Sequence, residues 1–212
     1  MGWHIPTFTK AFGNLPGAMK LREQILKEHS KTNCNSIVQW IGGSQSRFDQ
    51  LFDLFLHDEY RVVQRSAWPL SYAVENHPKL IQKHLGKLLK KLKEPGIHNA
   101  VKRNTVRLLQ DITVPKRYQG QVMDICFGYV ASPTEEVAVK AFSLTVLANL
   151  AKYYPDIIPE IKLLIADRVD HETVAFRARA KKVLKQLDRI AASLILSRLN
   201  LPPGKQKRAS HD

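Results

Sequence analysis

The stretch Val101-Lys-Arg-Asn-Thr-Val-Arg-Leu108 carries the pattern that decides the fold. A valine, a small residue four positions later and a leucine seven positions later fall on one face of an α-helix. Three other stretches align with it, beginning at Val63, Val137 and Val174, so the valines are 38, 36 and 37 residues apart. The fourth copy departs from the leucine rule with Lys181. A nearly fixed period of this length predicts a stack of similar helical units.

A second apolar helix precedes each of these four helices, and polar turns such as His57-Asp-Glu-Tyr60 and Asp170-His-Glu-Thr173 join the two. No stretch shows sustained period-two alternation of β-branched residues, so no sheet is expected. A plain helical bundle does not require a fixed period, which favours a solenoid of helix pairs. The fold class predicted is therefore all-α, a right-handed α-α superhelix of about four repeats with an N-terminal helical cap.

The units follow from where prolines and polar stretches interrupt the helices. We expect one domain over residues 1–200, with a cap at 14–43 and repeats at 47–78, 79–114, 118–154 and 156–200. Residues 201–212 have no apolar period and predict a basic, disordered tail.

The pattern of a polar turn, a valine, a nearby basic residue and a small residue four positions on resembles HEAT repeats over about residues 47–190. This resemblance implies a convex layer of first helices and a concave surface lined by second helices. The position after the valine, usually Arg in that family, holds Gln64, Lys102, Ala138 and Ala175. This departure leaves the polar ladder between repeats without its usual residues.

The chain also resembles small bacterial HEAT-type proteins that sometimes carry the name adenylosuccinate lyase. That enzyme has a Ser-Ser-x-Met-Pro-x-Lys-x-Asn loop. None of Met1, Met19 and Met123 precedes a proline, so the lyase activity is not predicted.

The chemistry-bearing residues form no recognisable catalytic or metal-binding motif. Cys34 and Cys126 are 92 positions apart, which indicates a reducing compartment, and His77 and His84 are too few for a zinc site. We therefore predict a non-enzymatic protein with no cofactor and no metal. Without an apolar run long enough to cross a bilayer, we expect a cytoplasmic protein with no membrane partner.

Charge is the functional signal of this sequence. The chain has 33 Lys and Arg against 19 Asp and Glu, a formal net charge of +14. Residues 79–119 hold 11 basic and 2 acidic residues, and residues 176–212 hold 10 and 2, whereas residues 120–175 hold 4 and 8. This distribution favours an acidic partner.

The candidate partner contacts are the polar and aromatic residues of the second helices, which we expect to be exposed on the concave face. They are Arg65, Trp68, Arg103, Arg107, Lys140 and Arg177. Arginine suits carboxylate or phosphate because its planar fork donates two parallel hydrogen bonds. Two structural alternatives stay open: the cations can form ion pairs between helices, and Trp68 can belong to the core.

Two functions are compatible with such a surface. The first is a protein-interaction scaffold that binds an acidic protein or peptide partner on the concave face. The alternative is a nucleic-acid-binding protein resembling the HEAT-like alkylpurine DNA glycosylases. Those enzymes use concave Trp, Asp and Arg residues, and no matching trio is found here, so this alternative concerns binding rather than base excision.

Overall fold

The computed structural model describes the backbone of residues 20–199 and the side chains of residues 20–197. This part of the chain forms ten α-helices and no strand, which confirms the all-α prediction. The helices are α1 (Leu21–Lys27), α2 (Lys31–Ile41), α3 (Gln45–His57), α4 (Tyr60–Asn76), α5 (Leu85–Leu92), α6 (Asn99–Leu109), α7 (Lys116–Ala131), α8 (Val137–Leu150), α9 (Ile158–Arg168) and α10 (Val174–Leu199). Single 3-10 turns lie before α5 (Gln82–His84), α9 (Pro155–Ile157) and α10 (Val169–His171).

The helices pack as consecutive antiparallel pairs. Helix α3 pairs with α4, α5 with α6, α7 with α8 and α9 with α10, while the second helices α4, α6, α8 and α10 stack in chain order. The α1–α2 pair packs on α4 at the N-terminal end. Each helix thus contacts mainly its partner and its neighbours in the stack, and this arrangement confirms the predicted helix-pair solenoid.

Local sequence signals determine where helix α2 begins and ends. Ser30 caps α2, since its hydroxyl accepts a hydrogen bond from the Asn33 amide at 3.1 Å. Gly42 ends α2 with a φ of 48°, a conformation that favours glycine. Residues 14–19 of the predicted cap and the predicted tail at 201–212 lie outside the described residues.

The core seam follows a register different from the predicted one. Val174 is 73% exposed and Ala178 is also exposed, so the fourth predicted copy does not lie in the seam. The seam residues of the four second helices are instead exposed by no more than 2%, and they are 39, 38 and 37 positions apart. They are Val62, Val101, Val139 and Phe176.

The position of the small residue in the repeat pattern shifts together with the seam residue. Four positions after each seam residue lies a side chain that is exposed by no more than 1%: Ser66, Thr105, Ser143 and Ala180. The predicted alignment is wrong by one residue in α4 and by two in α8 and α10. In those last two helices, an apolar residue stands both at the predicted position and two positions later, so hydrophobicity alone did not separate the two alignments.

Candidate interaction surface

Three rows of side chains run across the second helices beside the buried seam, and one member, Asp111, lies two residues beyond the end of α6. They follow the spacing of the seam residues, and none of them is buried. The rows are Trp68, Arg107, Thr145 and Lys182; Tyr72, Asp111, Asn149 and Gln186; and Arg65, Asn104, Phe142 and Arg179. These twelve residues define the second-helix face, and a continuous face of this kind suits an extended or helical ligand.

The second-helix face is predominantly basic. Its cations are Arg65, Arg107, Arg179 and Lys182, and its acid is Asp111. Partial burial raises the pKa of the Asp111 carboxyl, and the nearby Arg107 opposes that rise. Arg61 and Arg103 adjoin the face, because each lies on the same side of its helix as a row residue.

Arg179 links three helices of this face. Its Nη1 donates to Thr145 Oγ1 at 2.7 Å and to Gln110 Oε1 at 3.3 Å, and its guanidinium lies 6.0 Å from the centre of the Phe142 ring. Arg179 is half-buried, so these contacts hold its guanidinium in place while solvent can still reach it. Arg179 was not among the predicted contacts, and the corrected register is the signal that identifies it.

Amide side chains extend this network along the stack. Asn149 Nδ2 donates to the Gln110 carbonyl at 3.1 Å, and Gln186 Nε2 donates to the Ala148 carbonyl and to Asn149 Oδ1, both at 3.3 Å. Side-chain hydrogen bonds of this kind hold the polar groups in fixed positions. The surface from α6 to α10 is therefore preorganised.

Two predicted contacts, Arg65 and Trp68, also hold the N-terminal helix pair in place. Arg65 Nη1 donates to the Leu26 carbonyl at 2.7 Å, near the C-terminal end of α1. The Trp68 ring lies 5.4 Å from His29 and 6.1 Å from Tyr72, measured between ring centres. Both residues are half-buried, so each combines a packing contact with an accessible side.

Arg103 and Arg107 lie four residues apart on α6. Arg107 is exposed and Arg103 is half-buried. No carboxylate of the described residues lies within ion-pair distance of either guanidinium. Both side chains therefore have donors available for a ligand.

The expected exposure of Lys140 is wrong. Lys140 is only 2% exposed, and its Nζ lies 2.5 Å from Glu172 Oε1, which Arg168 also approaches at 3.4 Å. The register explains the error, because Lys140 directly follows the seam residue Val139. Arg177 directly follows Phe176 and is exposed, but this helical position lies off the second-helix face.

A polar ladder joins successive repeats, contrary to what the sequence alignment suggested. Lys102 Nζ lies 2.7 Å from Glu135 Oε2, and Lys140 repeats the contact with Glu172 one unit later. Both acids stand two residues before the next second helix. The predicted alignment placed Ala138 and Ala175 at the ladder position, where the structure has Lys140 and Arg177.

Asp49 and the two cysteines, which lie away from this face, have shifted pKa values that the surrounding structure explains. Burial tends to raise the pKa of Asp49, but hydrogen bonds from Lys83, Gln45 and His84 outweigh it and lower that pKa to about 2. Asp49 and His84 line a cleft of about 730 Å³ between α1, α3 and α5. Burial raises the pKa of both cysteine thiols to about 12, so both are poor nucleophiles.

The described residues show neither a metal-binding cluster nor a membrane-spanning helix. Residues 20–199 contain no group of three His, Cys, Asp or Glu side chains placed to hold a metal ion. Within the same residues, no helix has the length and apolar character to span a membrane.

Comparison with known proteins gives one match. The model of a family described as HEAT repeat domain matches residues 21–187, which is most of the chain. Neither the curated proteins nor the solved structures gave a match.

Proposed function

Because the chain belongs to the HEAT repeat domain family, we propose that it is a non-enzymatic scaffold that binds an acidic protein partner on its second-helix face. HEAT repeats generally mediate protein interactions. In such arrays, the stacked helices offer an extended surface whose side chains select the partner.

The observation that carries the proposal is the set of three rows along α4, α6, α8 and α10. Cations outnumber acids there, and Arg179 is held in place by Thr145, Gln110 and Phe142. Arginine side chains positioned in advance lose less entropy when they bind a carboxylate. Complementary charge also raises the rate of encounter with an acidic partner.

A cytoplasmic location is part of the same proposal. Cys34 and Cys126 are both buried free thiols, which is the usual state of cysteines in a reducing compartment. The Lys83, Gln45 and His84 hydrogen bonds account for the low pKa of Asp49, and burial accounts for the raised pKa values of the thiols. These perturbed groups therefore support a structural role rather than a catalytic one.

Nucleic-acid binding is the second candidate function, and the aromatic pair on α4 favours it. Trp68 and Tyr72 lie 6.1 Å apart on the same face as Arg65 and Arg107. Aromatic rings can stack on unpaired bases while arginines contact phosphates. Asp111, the acid of this face, interrupts a continuous phosphate track, so the protein partner is preferred.

Fluorescence anisotropy separates the two candidates. The probes are a labelled 20-residue peptide rich in Glu and Asp, duplex DNA, single-stranded DNA and RNA, each titrated across a salt series. We expect the peptide to bind at physiological salt and the nucleic acids to bind only at low salt. Micromolar or tighter nucleic-acid binding near physiological salt, with a slope that indicates several released counterions, would reverse this order.

Charge reversal at Arg103→Glu and Arg107→Glu assigns the binding to the face. The double variant should weaken peptide binding about tenfold or more, because two cationic hydrogen-bond donors are replaced by anions that repel the acidic peptide. Its helical circular dichroism should not change, since Arg107 is exposed, Arg103 is only half-buried and neither forms an ion pair within the described residues. Loss of the helical signal would instead mean that these arginines are structural.

A further inference from the structure

The ladder that joins the repeats follows a simple rule before three of the four second helices, and α6, which is preceded by Ile97, is the exception. An acidic residue stands two positions before α4, α8 and α10, and in each case a cation from a preceding unit binds it. Arg22 Nε and Nη2 bind Asp58 at 2.9 and 3.0 Å, Lys102 binds Glu135 at 2.7 Å, and Lys140 binds Glu172 at 2.5 Å. The rule relates each ladder cation to the turn of the unit that packs next in the stack.

Arg177 is the next cation in this series. It follows the seam residue Phe176, just as Lys102 follows Val101 and Lys140 follows Val139. The Arg177 side chain is exposed, and no carboxylate of the described residues lies within ion-pair distance of it. The position that holds an ion pair in two earlier units thus offers a free guanidinium here.

The side of α10 that faces away from α8 combines basic and apolar residues. Helix α10 packs mainly on α8, with a smaller contact to α9, and the residues that define this side are exposed. Lys181, Lys185 and Arg189 are exposed and four residues apart, so they form one basic stripe. Val174 and Leu196, which are 73% and 62% exposed, and the exposed Ala178 and Ala192 flank the stripe.

The acidic residue of α10 does not pair with a cation of this stripe. Asp188 is the only acidic residue of α10, and it binds Lys162 of α9 at 2.7 Å. A stripe of three cations with apolar flanks is complementary to a helix that has acidic residues beside apolar ones.

We propose that the outer side of α10 is a second docking surface, which accepts an acidic amphipathic helix of a partner protein as if it were the next helix of the stack. The partner places a carboxylate just before its helix, against Arg177, and an acidic face along Lys181, Lys185 and Arg189. Val174, Ala178, Ala192 and Leu196 pack against its apolar residues. This surface is separate from the second-helix face and does not depend on it.

The charge pattern argues against a second copy of this chain as the occupant. Helix α2, which packs on the N-terminal side of α4, contains no acidic residue, and its exposed residues include Lys31, Asn35 and Gln39. Docking of α2 on α10 would place Lys31 against the basic stripe, and the acid just before α2, Glu28, already accepts a hydrogen bond from Ser30 at 2.6 Å. The formal net charge of +14 adds to this repulsion.

The test uses the full chain and a fluorescein-labelled, 24-residue helical peptide. The peptide begins with the sequence Ser-Pro-Thr-Glu-Glu, taken from residues 132–136, and continues with glutamates on one helical face beside leucines and alanines. Anisotropy is measured at about 0.15 M salt with the wild type, with Arg177→Glu and with Lys181→Glu/Lys185→Glu. We expect each variant to weaken binding about tenfold or more, with unchanged circular dichroism, because exposed cations become anions.

Two controls make the result specific to this surface. The Arg103→Glu/Arg107→Glu variant should bind the helical peptide within about threefold of the wild type, allowing for the change in net charge. A peptide of the same composition in scrambled order should bind at least about tenfold more weakly, since it cannot align its acidic and apolar faces.

The opposite results would overturn the proposal. They are equal binding of the scrambled peptide, loss of binding in the α6 variant but not in the α10 variants, and a dimer in sedimentation that Lys181→Glu/Lys185→Glu dissociates. The second-helix face is tested with its own variants. A negative result for the outer side of α10 therefore does not contradict the proposed function, and a negative result for the second-helix face does not contradict docking on α10.

Discussion

At the scale of single residues, the most constrained group is the buried cluster of Lys140, Glu172 and Arg168. The Lys140 and Glu172 side chains are 3% and 5% exposed, and Arg168 is 18% exposed. Glu172 is the only one of the three that is negative, so it compensates the buried Lys140 and the half-buried Arg168. Removing one member of such a cluster costs more than the pair itself contributes, because the partner stays buried and charged.

The two ends of this ion pair should therefore respond differently to substitution. Glu172→Gln should lower the free energy of unfolding by about 3–5 kcal/mol, because it leaves two cations without a carboxylate. Lys140→Met should cost less, since Glu172 keeps Arg168. Urea denaturation followed by circular dichroism measures both values, and a larger cost for Lys140→Met would contradict this account of the cluster.

Asp49 is one of the carboxylates that make the stability of the fold sensitive to acid, and Asp58 beside Arg22 is another. The pKa of Asp49 in the folded chain is about 2, below the usual value of about 3.9 for an unfolded aspartate. A depressed pKa stabilises the fold above the unfolded value, and this contribution is lost as the pH falls from about 4 toward 2. Asp49→Asn should thus lower stability at neutral pH and flatten the decline of the unfolding free energy over this window.

The matched control for Asp49 is Asp53→Asn on the same helix. Asp53 is an exposed carboxylate whose contact is His57 Nδ1 at 2.9 Å. Unfolding measured at several pH values should show a much smaller change for this variant, because surface ion pairs contribute little. Equal effects of the two substitutions would show that Asp49 has no special role.

At the scale of helices, sequence reasoning predicted which segments are helical better than how they rotate against each other. The N-terminal helical cap and the four pairs of helices were expected and are present in the described residues. Two features needed the structure: the seam at Val139 and Phe176, and the ladder that follows from it. In both helices, Val137 and Val174 lie two residues before the true seam residue, and apolar periodicity does not say which of the two is buried.

A pair of substitutions on α10 tests the corrected register. Ala180 is 1% exposed in the seam with α8, whereas Ala178 is exposed on the outer side of the same helix. Ala180→Leu should cost about 1–3 kcal/mol through overpacking, while Ala178→Leu should stay within about 0.5 kcal/mol of the wild type. Thermal unfolding monitored by circular dichroism compares the two variants, and the predicted alignment would require the reverse order.

The same shift explains how the candidate site was only partly predictable. Arg65, Trp68 and Arg107 lie at non-buried positions of second helices, because α4 and α6 were aligned to within one residue, and their role as partner contacts stays a prediction. Lys140 was placed on the surface although it is buried. Arg179 and Lys182 were missed, because their positions depend on the register of α10.

At the scale of the whole molecule, the charge is distributed over surfaces with different roles. Lys102 and Lys140 join repeats, Arg179 belongs to the second-helix face, and Lys181 and Lys185 lie on the outer side of α10. Lys87 and Lys90 form a further exposed group on α5, a first helix. Net charge alone does not distinguish these surfaces, so the role of each cation is assigned from its position in the fold.

The most direct test of the proposed function compares two double charge reversals that change the net charge equally. Anisotropy with the acidic 20-residue peptide at about 0.15 M salt is measured for Arg107→Glu/Lys182→Glu on the second-helix face and for Lys87→Glu/Lys90→Glu on α5. We predict that the first variant binds about tenfold or more weakly than the wild type, and the second within about threefold. Equal losses would show that binding follows total charge, and a larger loss for the α5 variant would place the binding surface on the first helices.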